Sequence, residues 1–255
     1  MVFDKEAYKQ FILDNERITF SPEFFRLASG QKSRFYINWR KEVNEKTGIT
    51  SGKNAEIIAD YVLDFLEDKE IEIDTFIGVP ESMTMFAGVI QKKQAERKNL
   101  DDYGLVALRK EPKTHGDIAD RFFIGKPHGK IAVLEDITTT GGSLINKGIK
   151  AVQNTGYDVE TAIALVNRCP PLANKGIKPV QNTDLDIEKK VASIKKVPGK
   201  NYVDELVKKE TGVNYFSLIH AFDLLPEAYN RFIKKLEDDL KNEILEYRDL
   251  RVLKT

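Results

Sequence analysis

Cysteine is nearly absent from this sequence, with one residue, Cys169, among 255. A single thiol excludes an intrachain disulfide and any metal centre built on several cysteines. With no base at a recognisable spacing it reads as a packed thiol. An excess of either charge is absent too. Forty Lys and Arg balance forty Asp and Glu, for a formal net charge of zero, whereas proteins that grip duplex nucleic acid carry a basic footprint. Long apolar runs are missing, since no window approaches the ~18 apolar residues of a membrane span. The opening residues, MVFDKEAYKQF, are charged and lack the apolar centre of a signal peptide. These absences predict a soluble, cytoplasmic protein with neither nucleic acid nor membrane as partner. They leave room for a local anion site.

What is present is an alternation of elements. A chain of this length buries roughly three quarters of the surface its unfolded form exposes, so a core is easily formed. Ala7, Tyr8, Phe11 and Ile12 lie at helical spacing behind Asp4, a potential N-cap. Residues 18–40 are aromatic-rich and read as short strands around a tight turn at Ser29-Gly30. A helix is expected over residues 53–66, a strand over 74–80 and a helix over 82–97. Strands at 103–108, 130–135 and 160–166 follow, with a polar stretch from 109 to 127 and a helix to residue 154 between them. Strands alternating with helices of this length indicate βαβ units and a mainly parallel sheet, with strand 160–166 closing the series. Residues 172–200 are polar and read as irregular. Beyond them come a helix (203–210), a short strand (214–218) and a long helix from Pro226, with Tyr229, Phe232, Ile233, Leu236, Leu240 and Ile244 on one stripe. Trp39 reads as core or interface, and His128 and His220 as structural.

Ligands in parallel sheets sit at the carboxyl ends of strands, and one such end reads VLEDITTTGGS, residues 133–143. A glycine-rich turn from strand to helix points backbone N–H groups at an anion, and Thr139, Thr140 and Ser143 add hydroxyl donors. Glu135 and Asp136 would repel a bare phosphate. A ligand carrying a phosphate, a ribose diol and a metal uses every one of these groups. The run has neither the Gly-Lys-Ser/Thr of a Walker A loop nor the spacing of a dinucleotide fingerprint.

The second informative stretch is ALRKEPKTHGD, residues 107–117. It places Arg109, Lys110, Lys113 and His115 on a polar segment one βα unit before the anion cradle. Mobile cations suit a departing diphosphate, whose charge grows as its bond to ribose breaks. Closing such a segment also excludes water.

VLEDITTTGGS resembles the phosphoribosyl diphosphate (PRPP) signature of the type I phosphoribosyltransferases. The 109–117 stretch resembles the mobile loop of the orotate phosphoribosyltransferases, Arg-Lys, two residues, Lys, one residue, His-Gly, matching at Arg109, Lys110, Lys113 and His115. LASGQKSRFYINWR, residues 27–40, resembles that family's base-side segment. The resemblance runs from about residue 20 to 225. It implies an α/β, type I phosphoribosyltransferase-like fold, with a mainly parallel central sheet flanked by helices, a small N-terminal hood and a C-terminal helical extension. Residues 1–255 would form one domain, with hood and base-side segment at 1–40, core at 52–168, and C-terminal strand and helix at 200–255.

The resemblance also implies roles. Glu135 and Asp136 would hold the ribose hydroxyls. Residues 138–143 would wrap the 5′-phosphate, so that Ile137, Thr138, Thr139, Thr140, Gly141, Gly142 and Ser143 join Arg109, Lys110, Lys113 and His115 as PRPP contacts. Lys113 and Asp136 would be catalytic. Tyr36, Ile37, Thr139 and Arg168 would meet orotate, whose carboxylate and imide suit an arginine fork. Magnesium would be held mainly by PRPP itself. The loop at 109–125 would be shared across a homodimer. Three departures stand out: Ala28 where many relatives have Lys, Glu81-Ser82-Met83 where many have Tyr-Lys-Gly, and the length beyond Pro226. The implied reaction is phosphoribosyl transfer from PRPP to N1 of orotate through an oxocarbenium-like transition state. Three alternatives remain open from sequence: transfer to another base, a non-catalytic PRPP-sensing regulator, and a plain interaction protein.

Overall fold

The computed structural model describes residues 2–27, 30, 32–39, 52–117, 120–169 and 202–252. Ala28, Ser29 and residues 172–200, on which expectations were placed above, lie outside the described residues. The chain opens with helix α1 (Lys5–Asp14), where the Asp4 carboxylate accepts from the Ala7 N–H at 2.9 Å as an N-cap should. Strands β1 (Ile18–Arg26) and β2 (Lys32–Ile37) pair antiparallel, with Gly30 between them at φ 82°. Helix α2 (Gly52–Asp68) then buries Ile58, Val62 and Leu66 on one face. It is followed by β3 (Thr75–Gly78) and α3 (Ser82–Arg97).

Four strands form the central sheet in the order β3-β6-β7-β8, and every pairing is parallel. Strand β6 is Ile131–Thr138, β7 is Thr161–Asn167 and β8 is Asn214–His220. Alternate residues of β6 serve opposite faces: Ala132 and Leu134 join α1, α2 and α3, while Ile131 and Val133 join the other layer. That is why its sequence is an unbroken apolar run, since both faces of a parallel sheet are covered. Each fully buried Ile or Leu in these layers contributes about 1.5–3 kcal/mol. The second layer is α4, wound as a π-helix over Leu144–Ile149 and as an α-helix over Lys150–Gln153, together with α5 (Tyr202–Thr211). Trp39 and Cys169 are both buried.

The structure corrects three expectations. The strand expected at 103–108 is only β4 (Ala107–Leu108), and its ladder pairs with β5 (Phe123–Ile124) rather than with the main sheet. Its residues are buried on one side only, Val106 and Leu108 inward and Leu105 exposed, as befits a two-stranded flap. The parallel series does not close at β7, because β8 adds a fourth strand whose Tyr215 and Leu218 supply one buried residue to each layer. Helix α6 (Ala221–Val252) begins five residues before Pro226. That proline is the sixth residue of the helix, past the free N–H groups of the first turn, so it forfeits the bond to the Phe222 carbonyl and its ring crowds that carbonyl. The first half of the α6 stripe packs within the chain, with Tyr229 and Phe232 against Phe20 at 5.8 and 5.3 Å between ring centroids. No helix among the described residues is long and apolar enough to cross a membrane.

Candidate active site

The carboxyl ends of β3, β6 and β7 form one edge, and the candidate site is built there. Strand β6 carries Glu135 and Asp136 still within its ladder, Glu135 opposite Ala164 of β7. Glu135 is 5% exposed, and its Oε2 has no hydrogen-bond partner among the described residues. Burial first, and the neighbouring Asp136 carboxylate second, push its carboxyl up to about 8, against which a Ser143 hydrogen bond pulls down. Asp136 is half-buried, and its Oδ1 accepts from the Ile137 N–H at 2.8 Å. A buried acid with a spare oxygen beside a more open one is suited to a diol, which both donates and accepts.

Past Thr138 the chain turns through residues 139–143 into α4. Gly141 sits at φ 78°, which favours glycine, and a Cβ there would make a tight 3.2 Å contact with the Val203 side chain of α5. The N–H groups of residues 139–143 meet no acceptor among the described residues. That leaves a nest of donors at a helix start, which is what a phosphate monoester requires. Thr139 and Thr140 are half-buried and Ser143 is exposed. Thr138 differs from them: its hydroxyl turns inward to hydrogen-bond with Tyr215 OH, and only its backbone faces the turn. Its carbonyl accepts from the Arg168 N–H at 2.9 Å, which ties the β7 end to the cradle.

Arg168 itself is 7% exposed and ion-pairs with no carboxylate among the described residues. Burial lowers its pKa to about 10. One terminal nitrogen donates to Ser33 Oγ at 2.8 Å and to the Phe35 carbonyl at 3.2 Å, and the guanidinium lies 4.3 Å from the Phe35 ring centroid. Ser33 Oγ also donates to that carbonyl at 2.8 Å and accepts from the Phe35 N–H at 3.1 Å. The sequence reading assigned Tyr36 and Ile37 to the base side and gave Ser33 and Phe35 no role. Ile37 is wholly buried in the core with Tyr8 and Trp39, so its side chain is not available to a ligand. Tyr36 is half-buried, edge-on to Phe25 at 5.9 Å. The period of two in a strand was the available signal, because it puts Ser33 and Phe35 on one face.

The cation loop leaves the β4–β5 ladder, which continues through Arg109 N–H to Phe122 O (2.9 Å) and Lys113 N–H to Arg121 O (2.8 Å). Arg109 Nε donates to the Asp120 carbonyl at 2.9 Å. Lys113 Nζ lies 2.9 Å from where a Cβ on Gly116 would be, so the ammonium rests over a residue with no side chain. His115 is exposed. Lys110 Nζ reaches Glu81 Oε1 at 3.4 Å. Glu81 belongs to the turn after β3, and that turn is fixed beside β6 by Val79 N–H to Leu134 O at 2.8 Å. The structure therefore brings Lys110 to the sheet edge that carries Asp136, while His115 stays in solvent.

No protein-family model matches the chain. The chain is 32% identical over 146 residues to the orotate phosphoribosyltransferase of Methanosarcina mazei, covering 56% of this chain and 68% of that one. To the enzyme of the same name from Bradyrhizobium diazoefficiens it is 31% identical over 150 residues, covering 56% and 72%. Among solved structures, the Aeropyrum pernix orotate phosphoribosyltransferase superposes with TM-score 0.53 at 20% identity, over 86% of this chain and 98% of that one. That of Francisella tularensis gives 0.54 at 14% identity, over 90% of each. At such identities the superpositions speak for the fold alone, the type I phosphoribosyltransferase fold. Together with the sequence relatives, they establish that the chain belongs to the orotate phosphoribosyltransferase family.

Proposed function

We propose that the protein transfers the 5-phosphoribosyl group of PRPP to N1 of orotate, giving orotidine 5′-monophosphate and diphosphate for pyrimidine nucleotide synthesis. The observation that carries this reading is Arg168: a buried cation with no carboxylate partner among the described residues, stacked on an aromatic ring and tied to the end of β6. A buried charge left unpaired is costly. Orotate brings a carboxylate as well as an imide carbonyl to that fork, and a purine base brings no carboxylate.

In this reading the 139–143 turn holds the 5′-phosphate, and Glu135 with Asp136 orients the ribose diol. At neutral pH the Glu135 carboxyl, raised to about 8, keeps its proton until a ligand changes its surroundings. As the C1′–O bond breaks, positive charge grows on the ribose and negative charge on the diphosphate. Arg109, Lys110 and Lys113 lie where the loop can neutralise the latter. The lone pair of orotate N1 then forms the new bond to C1′. Magnesium would be held mainly by PRPP itself, with the half-buried Asp136 carboxylate at the end of β6 within the same edge. When bound, it offsets diphosphate charge.

We also propose the single-domain organisation, a cytoplasmic location and a homodimer that shares the loop. The last is supported by an exposed apolar patch at the loop's base. Leu105 and Ile124 lie on the outer face of the β4–β5 flap, and Leu105 meets α3 at Gly88, one turn from the exposed Met85. Such a patch marks an interaction surface.

The test is a spectrophotometric assay with PRPP, magnesium and orotate, run beside uracil, hypoxanthine and guanine. Consumption of orotate alone is expected. Turnover of another base would discard the role of Arg168, and binding of PRPP without any turnover would favour a regulator.

A further inference from the structure

Glu81 occupies the N-cap position of α3, where a shorter Ser, Thr, Asp or Asn side chain ordinarily bonds the free N–H groups of the first turn. It makes no such bond. Its side chain points away, 77% exposed, and meets the equally open ammonium of Lys110 at 3.4 Å. The turn that carries it is anchored to β6 one residue before Glu135. A carboxylate is thus spent on the loop cation nearest the sheet edge, at the place where a diphosphate would arrive.

We propose that Glu81 is the residue that sets affinity for the diphosphate end of the donor, by holding Lys110 as an internal counter-ion that the incoming diphosphate must displace. This rests on the reading of the loop as a diphosphate-binding segment and deepens it. The pair is exposed on both sides, so its grip is weak and readily exchanged. A ligand with several negative charges at the same position outcompetes one carboxylate, and once Lys110 has swung away the acid's uncompensated charge opposes the ligand. Diphosphate release is assisted by the same exchange in reverse.

The experiment compares Glu81→Gln with the unaltered protein in two measurements. One is the KM for PRPP with orotate saturating, and the other is calorimetric binding of magnesium diphosphate to the full chain. Both constants are expected to fall about two- to fivefold, the scale of an exposed ion pair. The KM for orotate should not move, and the gain should vanish in a Lys110→Met background. Unchanged constants in Glu81→Gln would overturn the proposal, as would an equal gain without Lys110. The calorimetric arm needs no acceptor base. Tighter diphosphate binding in a protein that ignores orotate would therefore uphold Glu81 while removing the assigned reaction.

Discussion

The cradle after β6 and the cation loop between β4 and β5 carry the two halves of one proposed reaction, and they are held in opposite ways. The cradle grows out of a strand buried on both faces, paired to β3 and β7, with its glycine turn clamped against α5. The loop hangs from a ladder of two residue pairs and a few backbone hydrogen bonds, with its cations half-buried or exposed. The first is set by the core and costs little to order when a ligand binds. The second has few buried contacts, which is the condition for a segment that opens and closes. In the proposed reaction, the groups that would hold the ground state sit where the fold is stiff, and those that would meet developing charge sit where it is loose.

Removing a loop cation is the strongest way to separate these halves. Lys113→Ala should reduce kcat by about 10²- to 10³-fold with a far smaller loss of PRPP affinity, because the lysine acts chiefly on the charge that grows as the bond to diphosphate breaks. An unchanged kcat would take Lys113 out of the mechanism. If the loop crosses to a second subunit, mixing Lys113→Ala protein with Asp136→Asn protein should restore roughly a quarter of full activity. Half of the dimers would then be hybrids, each with one intact site of two. No recovery on mixing would place loop and cradle in the same subunit.

The difference between the halves also explains what the sequence could show. The order strand, acids, threonines, glycines, helix is legible because the geometry is local, and the described structure keeps it contiguous. The same holds for α1 with its Asp4 cap and for α3, whose bounds match the spacing. The flap was misread as a sheet strand because Leu105-Val106-Ala107-Leu108 is apolar throughout, and an apolar run does not say whether one face or two are covered. The Arg168–Ser33 contact joins residues 135 apart, and no local pattern encodes it. Ile37 was assigned to the base by its place in the aromatic segment, but at the end of β2 it is buried in the core cluster with Tyr8 and Trp39. Glu81 was visible only as a departure, since its meaning depends on a lysine 29 positions away.

That long-range contact offers a milder test on the stiff side of the site. Ser33 is buried and is the one side chain seen to accept from Arg168 among the described residues. Ser33→Ala should raise the KM for orotate about tenfold, the scale of one hydrogen bond to a charged group. The KM for PRPP should stay where it is, and Ser33→Thr should recover most of the loss. Equal damage to both constants, or no recovery with threonine, would make Ser33 a packing residue with no part in aiming the guanidinium.

The smallest effect expected concerns the buried acid, and it is read as stability in the absence of ligand. The Glu135 carboxyl is raised from an ordinary 4.5 to about 8, by burial first and by Asp136 second. Between those two values the folded chain holds a proton that the unfolded chain has lost. Stability must therefore decline as pH rises through that window, and level off above it. Glu135→Gln has no proton to lose and should escape this decline. Melting temperatures of the two proteins should differ in the variant's favour by a margin that widens from pH 5 to pH 8. Glu111→Gln, at an exposed loop position, serves as the control for removal of a carboxylate. If the Glu135→Gln curve runs parallel to that of the unaltered protein, the carboxyl is already ionised in the folded chain, and the contrast between a desolvated cradle and a solvated loop loses its electrostatic half.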